Sequence, residues 1–185
     1  MTGADGCEYD IDPCYRTVLA CLRVISDPEY TQADRYLYLA TRFFCGSPPP
    51  DIGAAFIGFV SGGDQQSDNA DPVMDFEFDA EAIYASFLQQ YGIDLLSSDM
   101  HWVVFRALLA GINEDTPFGR RIKVRTMDES DLTAKGKAQL RKLRDMWAIE
   151  PKESQSDRDM QAELAAALER GDDPQPIIAK YQKGV

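Results

Sequence analysis

What most limits the fold of this chain is the spacing of its apolar residues, which recur every three or four positions in run after run and nowhere alternate convincingly. That spacing places apolar side chains on one face of an α-helix, whereas a half-buried strand needs a period of two. Val18, Leu19, Leu22 and Ile25 form the first run, entered through Asp12-Pro13 as an N-cap with proline at the first helical position and stopped by Asp27-Pro28. Thr31 with Asp34 resembles a capping box, aspartate standing where glutamate or glutamine is usual. The helix it opens carries Tyr36, Leu37, Leu39, Ala40, Phe43 and Phe44, and Gly46 fits its end. After the stiff Ser47-Pro48-Pro49-Pro50 connector, Ile52 to Val60 reads as a helix entered through Asp51, with a strand as the alternative.

Residues 61–72 contain no hydrophobic residue larger than alanine and read as a linker. Beyond it Asp79 caps a helix bearing Ile83, Tyr84, Phe87, Leu88 and Tyr91, which Gly92 ends. Ser97 or Ser98 caps the next, carrying Trp102, Val103, Phe105, Leu108 and Leu109 as far as Gly111. Thr116-Pro117 starts a short helix through Met127, and Thr133 opens a longer one with Leu140, Leu143 and Trp147 that stops before Pro151. Met160, Leu164 and Leu168 line up on a helix ending at Gly171, ahead of a short amphipathic turn from Ile177 to Tyr181.

The expected fold class is therefore all-α. Its expected organisation is an N-terminal three-helix unit at 13–60, a flexible linker at 61–72, a C-terminal helical unit at 73–150 and a helical extension at 151–185, with residues 1–10 frayed. A unit of about 50 ordered residues lies near the lower limit for folding alone, so the two units are expected to pack together.

Charge narrows the partners. The formal net charge is −12; residues 1–100 hold 17 acidic and 4 basic side chains, and residues 101–185 hold 14 acidic and 15 basic ones. Affinity for a phosphate backbone comes from Lys and Arg, so nucleic acid is not the expected partner, and an anionic membrane surface repels the acidic part. No stretch approaches the roughly 20 apolar residues that cross a bilayer, and no basic segment leads into an apolar run as in a signal peptide, so a soluble cytoplasmic protein is expected. The basic stretch from Arg120 to Arg144 reads either as a solvated helix face or as a docking surface for an acidic partner, such as the acidic half of a second copy.

Chemistry has few footholds. His101 is the only histidine, and at the start of an apolar helix it reads as structural. No nucleophile elbow, phosphate-binding glycine loop or dinucleotide fingerprint occurs. Cys7, Cys14, Cys21 and Cys45 form no Cys-x-x-Cys pair and read as reduced thiols, Cys14 and Cys21 on one helix face but about 10 Å apart, too far for a disulfide. The run Asp75-x-Glu77-x-Asp79 resembles a calcium loop only superficially, since its glycine and terminal glutamate are misplaced. The expectation is a binding protein without catalytic, cofactor or metal site.

The stretch from Asp75-Phe76-Glu77-Phe78-Asp79 to Leu95, followed by Met100-His101-Trp102-Val103-Val104-Phe105 to Gly111, resembles a family of small tail-region proteins from long-tailed bacteriophages and prophages of Gram-positive bacteria. In those genomes the gene lies between those of the major tail protein and the tape measure protein. The resemblance continues through Thr116-Pro117-Phe118, Ile122 to Met127 and the basic helix ending at Trp147, and takes in Tyr9 to Leu19, so it covers most of 9–150. It implies a tail assembly chaperone in the bacterial host cytoplasm, coating the tape measure until tube subunits replace it during assembly of a long non-contractile tail. The alternative it implies is a minor structural component of the tail or neck retained in the virion. The implied partners are the tape measure protein, the major tail tube protein and a second copy of the chain. The expected contact region is Phe76, Phe78, Tyr84, Phe87, Tyr91, Trp102, Phe105 and Arg106. Most of these also read as core of the C-terminal part, with Trp102 and Tyr91, whose rings have polar edges, the better surface candidates.

Overall fold

The computed structural model describes residues 1–3, 6–62, 73–130, 132–149, 155–170, 173–176 and 180. Among them are eight helices: α1 (Tyr15–Ser26), α2 (Gln32–Arg42), α3 (Ile52–Ser61), α4 (Ala80–Tyr91), α5 (Trp102–Ala110), α6 (Pro117–Thr126), α7 (Ala134–Met146) and α8 (Gln155–Arg170). Extended pairing among these residues is confined to three isolated antiparallel bridges, so the fold is all-α. The segment 63–72 of the expected linker, residues 151–154 and most of the last amphipathic turn lie outside the described residues.

Most helix ends follow local chemistry. The Thr31/Asp34 capping box is present with both reciprocal bonds, and the Thr31 hydroxyl and backbone hold the Asp34 carboxyl below the usual carboxylate range. Asp51, Thr116 and Thr133 each accept a backbone N–H from the first turn they cap, and Ile52–Ser61 is helix, not strand. Gly62 and Gly92 close α3 and α4 in left-handed conformations, which a residue without Cβ adopts cheaply.

Several expectations fail where pairings other than the expected ones have taken the local groups. Helix α1 starts at Tyr15, two residues past Pro13, because the Pro13 carbonyl accepts from Trp102 N at 2.7 Å and Cys14 bridges His101. Asp12 instead receives Cys14 N and the Thr17 hydroxyl, and Cys14 becomes the N-cap residue, off the helix face it was expected to share with Cys21. Helix α2 stops at Arg42, short of Gly46, because Phe44 pairs with Ile11. Residues 1–3 and 6–10 are not frayed: Tyr9 N reaches Met1 O, Gly3 N reaches Cys7 O, and the Tyr9 ring meets Phe44 edge-on at 6.4 Å. Neither Ser97 nor Ser98 caps α5. His101 does, through Nδ1, while Asp94 folds 94–98 into a turn by accepting Leu96 N and the Ser97 hydroxyl.

The helices neighbour one another in the order α3, α2, α1, α5, α4, α6, α7, so the α1–α5 contact joins the two sequence halves. One core runs through α1 to α6, from Phe56 and Phe43 through Val18 and Cys21 to Phe105, Phe87 and Phe118. Phe105 sits at the junction, stacked on Tyr15 at 4.8 Å and on Phe87 at 5.2 Å. Arg16 secures the same junction from outside by donating to Leu95 O and Leu96 O. Burial and the nearby Asp12 push the Cys21 thiol up to about 11, and none of the four cysteines is in a disulfide.

Where α6 meets the loop before it, the packing admits only glycine. A Cβ at Gly119 would lie 2.0 Å from Asn113 O, which is backbone and cannot rotate away. Gly119→Ala is therefore expected to cost about 1–3 kcal/mol in chemical denaturation, the range for overpacking. Gly136→Ala on α7, where the nearest atoms would be 3.5 Å away, should leave stability unchanged or raise it by up to about 1 kcal/mol.

An apolar groove between α3, α5 and α6

Helix α5, Trp-Val-Val-Phe-Arg-Ala-Leu-Leu-Ala, is apolar nearly all round, and one core cannot cover it. Trp102, Phe105 and Leu109 turn inward and are buried. Val103, Ala107 and Ala110, at i, i+4 and i+7, form a second apolar stripe on the exposed side of the helix. Facing it are Ile57 and Val60 of α3, Ile122 and Thr126 of α6, and Val73, Met74 and Phe76 of the segment leading to α4. Together they enclose an open groove of about 1210 Å³. Three of its rim residues are large aliphatics left well exposed, Ile57 at 48%, Val73 at 42% and Val103 at 49%.

The groove is held open by bonds that leave its apolar surface free. The Val60 carbonyl, in the last turn of α3, accepts from Trp102 Nε1 at 3.0 Å and Arg106 Nη1 at 3.1 Å. A cation there also suits the negative end of the helix dipole. Gly62 lies so close that a Cβ would come within 2.3 Å of Arg106 Nη2. On the opposite wall, Phe118 N donates to the buried Ser86 hydroxyl at 2.9 Å, fixing the start of α6 on α4. Lys123 is ion-paired to Glu114, whose bond and charge raise the lysine's pKa.

The wall at 73–79 is set by a buried carboxylate. Asp79 is fully buried and accepts from Arg121 Nη1 at 2.9 Å, from Arg125 Nη1 and Nη2 at 2.7 and 2.9 Å, and from Asp75 N at 3.2 Å. Arg125 extends the network by donating to Val73 O at 3.0 Å and, through Nε, to Trp147 O at 2.9 Å. Burial by itself raises the Asp79 pKa; the bonds from Arg125, Arg121 and Asp75 outweigh it and hold the carboxyl below its ordinary value. Asp79 thus occupies the N-cap position of α4 without capping it by its side chain. Asp75 supplies the local turn instead, accepting Glu77 N and Phe78 N.

The eight residues expected to form a contact region fall into three groups. Phe87 and Phe105 are buried in the core. Phe76, Trp102 and Arg106 line the groove, Trp102 as buried floor and Phe76 edge-on to it at 6.2 Å. Tyr91, Tyr84 and Phe78 lie elsewhere. The Tyr91 hydroxyl donates to Leu108 O, burial followed by the Asp94 charge raises the Tyr84 pKa, and Phe78 is half exposed with the guanidinium groups of Arg121 and Arg125 each 5.6 Å from its ring. The aliphatic half of the groove, Ile57, Val103, Ala107, Ala110 and Ile122, is absent from that set. The sequence signal for it is the second apolar stripe of α5.

Among the described residues no helix is long and apolar enough to cross a membrane, and no cluster of three or more potential metal ligands forms. Residues 59–149 match the model of a family described as Bacteriophage Gp15 protein. No curated protein and no solved structure matches the chain. The matched stretch runs from the end of α3 through α7, so the resemblance read at Tyr9 to Leu19 falls outside it. It contains every groove-lining residue except Leu22 and Ile57. Over the stretch that builds the groove, this chain is similar to a bacteriophage protein family.

Proposed function

We propose that this chain is a phage tail assembly chaperone, a binding protein and not an enzyme, whose groove between α3, α5 and α6 covers apolar helical stripes of the tape measure protein until tail tube subunits replace it. The observation that carries the reading is the two-sided apolar character of α5, which leaves Val103, Ala107 and Ala110 facing an open groove. At about 1210 Å³ the groove exceeds the roughly 300–1,000 Å³ typical of small-molecule sites, and a helix laid in lengthwise is a better match. Exposed aliphatic rims of this kind mark sites that a partner covers. The net charge of −12 suits the role, because it would keep a chaperone with its apolar cargo dispersed.

Co-expression with the tape measure protein tests the reading. A long helical tape measure that is insoluble alone should become soluble and co-purify with this chain, whereas equal insolubility with and without it would contradict a chaperone role. Mass spectrometry of purified virions separates this reading from its alternative, a minor structural component of tail or neck. Absence from virions is expected, and stoichiometric recovery would favour the structural role.

A further inference from the structure

Resting on that reading of the groove, we propose that Arg106 selects the occupant: a helix whose apolar stripe is interrupted by a single carboxylate, which pairs with the Arg106 guanidinium. Three charged side chains line the groove. Glu114 and Lys123 satisfy each other. Arg106 makes no ion pair among the described residues; its bond there is from Nη1 to Val60 O. A guanidinium carries five N–H donors in a planar fork that matches a carboxylate, so most of its donors remain for a ligand.

Its position is fixed in advance. The Val60 carbonyl holds one arm, and the backbone of Gly62, left-handed at φ +68, lies directly against the other. Less conformational entropy is then lost when a ligand pairs with it. The neighbours Val60, Trp102, Val103 and Ala107 are apolar, so an occupant would strip water from the guanidinium. A stripe without charge would bury that cation unpaired, and a lysine in the stripe would oppose it directly; both are costly where water is excluded. A broadly acidic helix is disfavoured as well, since the chain carries −12 overall. The chemistry that fits is one carboxylate in an apolar stripe, and it fixes the register in which the helix lies.

The test uses three fluorescent amphipathic peptides of about 20 residues, long enough to be helical, with leucine at i, i+3, i+4 and i+7 and glutamate, glutamine or lysine at one stripe position. Binding to the full-length protein is read by anisotropy. The glutamate peptide should bind about tenfold tighter than the lysine peptide, a modest effect for a charge-assisted bond. Arg106→Gln should abolish that preference, Arg106→Glu should reverse it, and Arg106→Lys, which keeps the charge but not the fork, should retain part of it. Thermal melts of each variant establish that it is folded. Equal binding of all three peptides by the wild-type protein would overturn the selection by Arg106 while leaving the groove reading intact. No binding of any peptide, or a concentration-dependent dimer that Val103→Asp abolishes, would overturn both.

Discussion

Asp79→Ala is expected to lower the unfolding free energy by about 3–5 kcal/mol, the cost of breaking a buried ion pair by removing one partner. Two guanidinium groups converge on this carboxylate, Arg125 nearly buried with its side chain 9% exposed and Arg121 at 21%. Removing the carboxylate takes the counter-charge from both, and Arg125 is nearly shielded from water. It also frees Arg125, which ties Val73 at the groove wall to Trp147 at the end of α7. Since domains are stable by only about 5–15 kcal/mol, the loss is a large fraction of the total and should be plain in urea denaturation. A double-mutant cycle with Arg125→Met should give much less than the sum of the single losses, because the double variant leaves one fewer uncompensated charge.

The pH dependence follows from the direction of the Asp79 shift. A carboxyl whose folded-state pKa is depressed contributes stability that is fully present above its unfolded value of about 4 and is lost as the pH falls through the folded value. The stability difference between wild type and Asp79→Asn should therefore be constant from neutral pH down to about 5 and shrink below about 4. A difference that does not change with pH would mean that the charge of Asp79 is not what stabilises the fold.

Phe105→Ala is expected to cost about 3–5 kcal/mol, the range for deleting a buried aromatic ring. The ring is 1% exposed and stacks on Tyr15 from α1, Phe87 from α4 and Trp102 from its own helix. Its removal opens a cavity where α1 packs on α5, one of the contacts that join the two sequence halves, so their coupling should weaken. The expected sign is a lower midpoint together with a broadened, probe-dependent transition, since two weakly coupled units no longer unfold as one. Val104→Ala, one residue away and 49% exposed, should stay within about 0.5 kcal/mol of wild type.

Helix periodicity made the architecture legible, and capping residues such as Thr31, Asp51, Thr116 and Thr133 marked where helices begin. What local spacing could not supply was partnership at a distance. Asp12 and Ser97 carry the right chemistry for caps, but the backbone groups around them are committed to contacts from Pro13 to Trp102 and from Tyr15 to Leu95. Asp79 reads locally as helix-terminus charge, and its arginine partners lie 42 and 46 residues further on, a pairing that no periodicity reveals. The groove was only partly legible for a related reason. Large aromatics suggest binding surfaces, yet here Phe87 and Phe105 fill the core. The groove is left to smaller aliphatics whose exposure depends on how α3, α5 and α6 pack.

The central claim, that the groove is where the cargo helix binds, is tested most directly by charging its rim without disturbing the core. Ile57→Asp and Val103→Asp change residues that are about half exposed, so the fold should tolerate them, while Leu37→Asp on α2 places the same charge on an exposed site outside the groove. Co-expressed with the tape measure protein, the two groove variants should leave it insoluble, and Leu37→Asp should rescue it as the wild type does. A tape measure kept soluble by both groove variants would contradict the account.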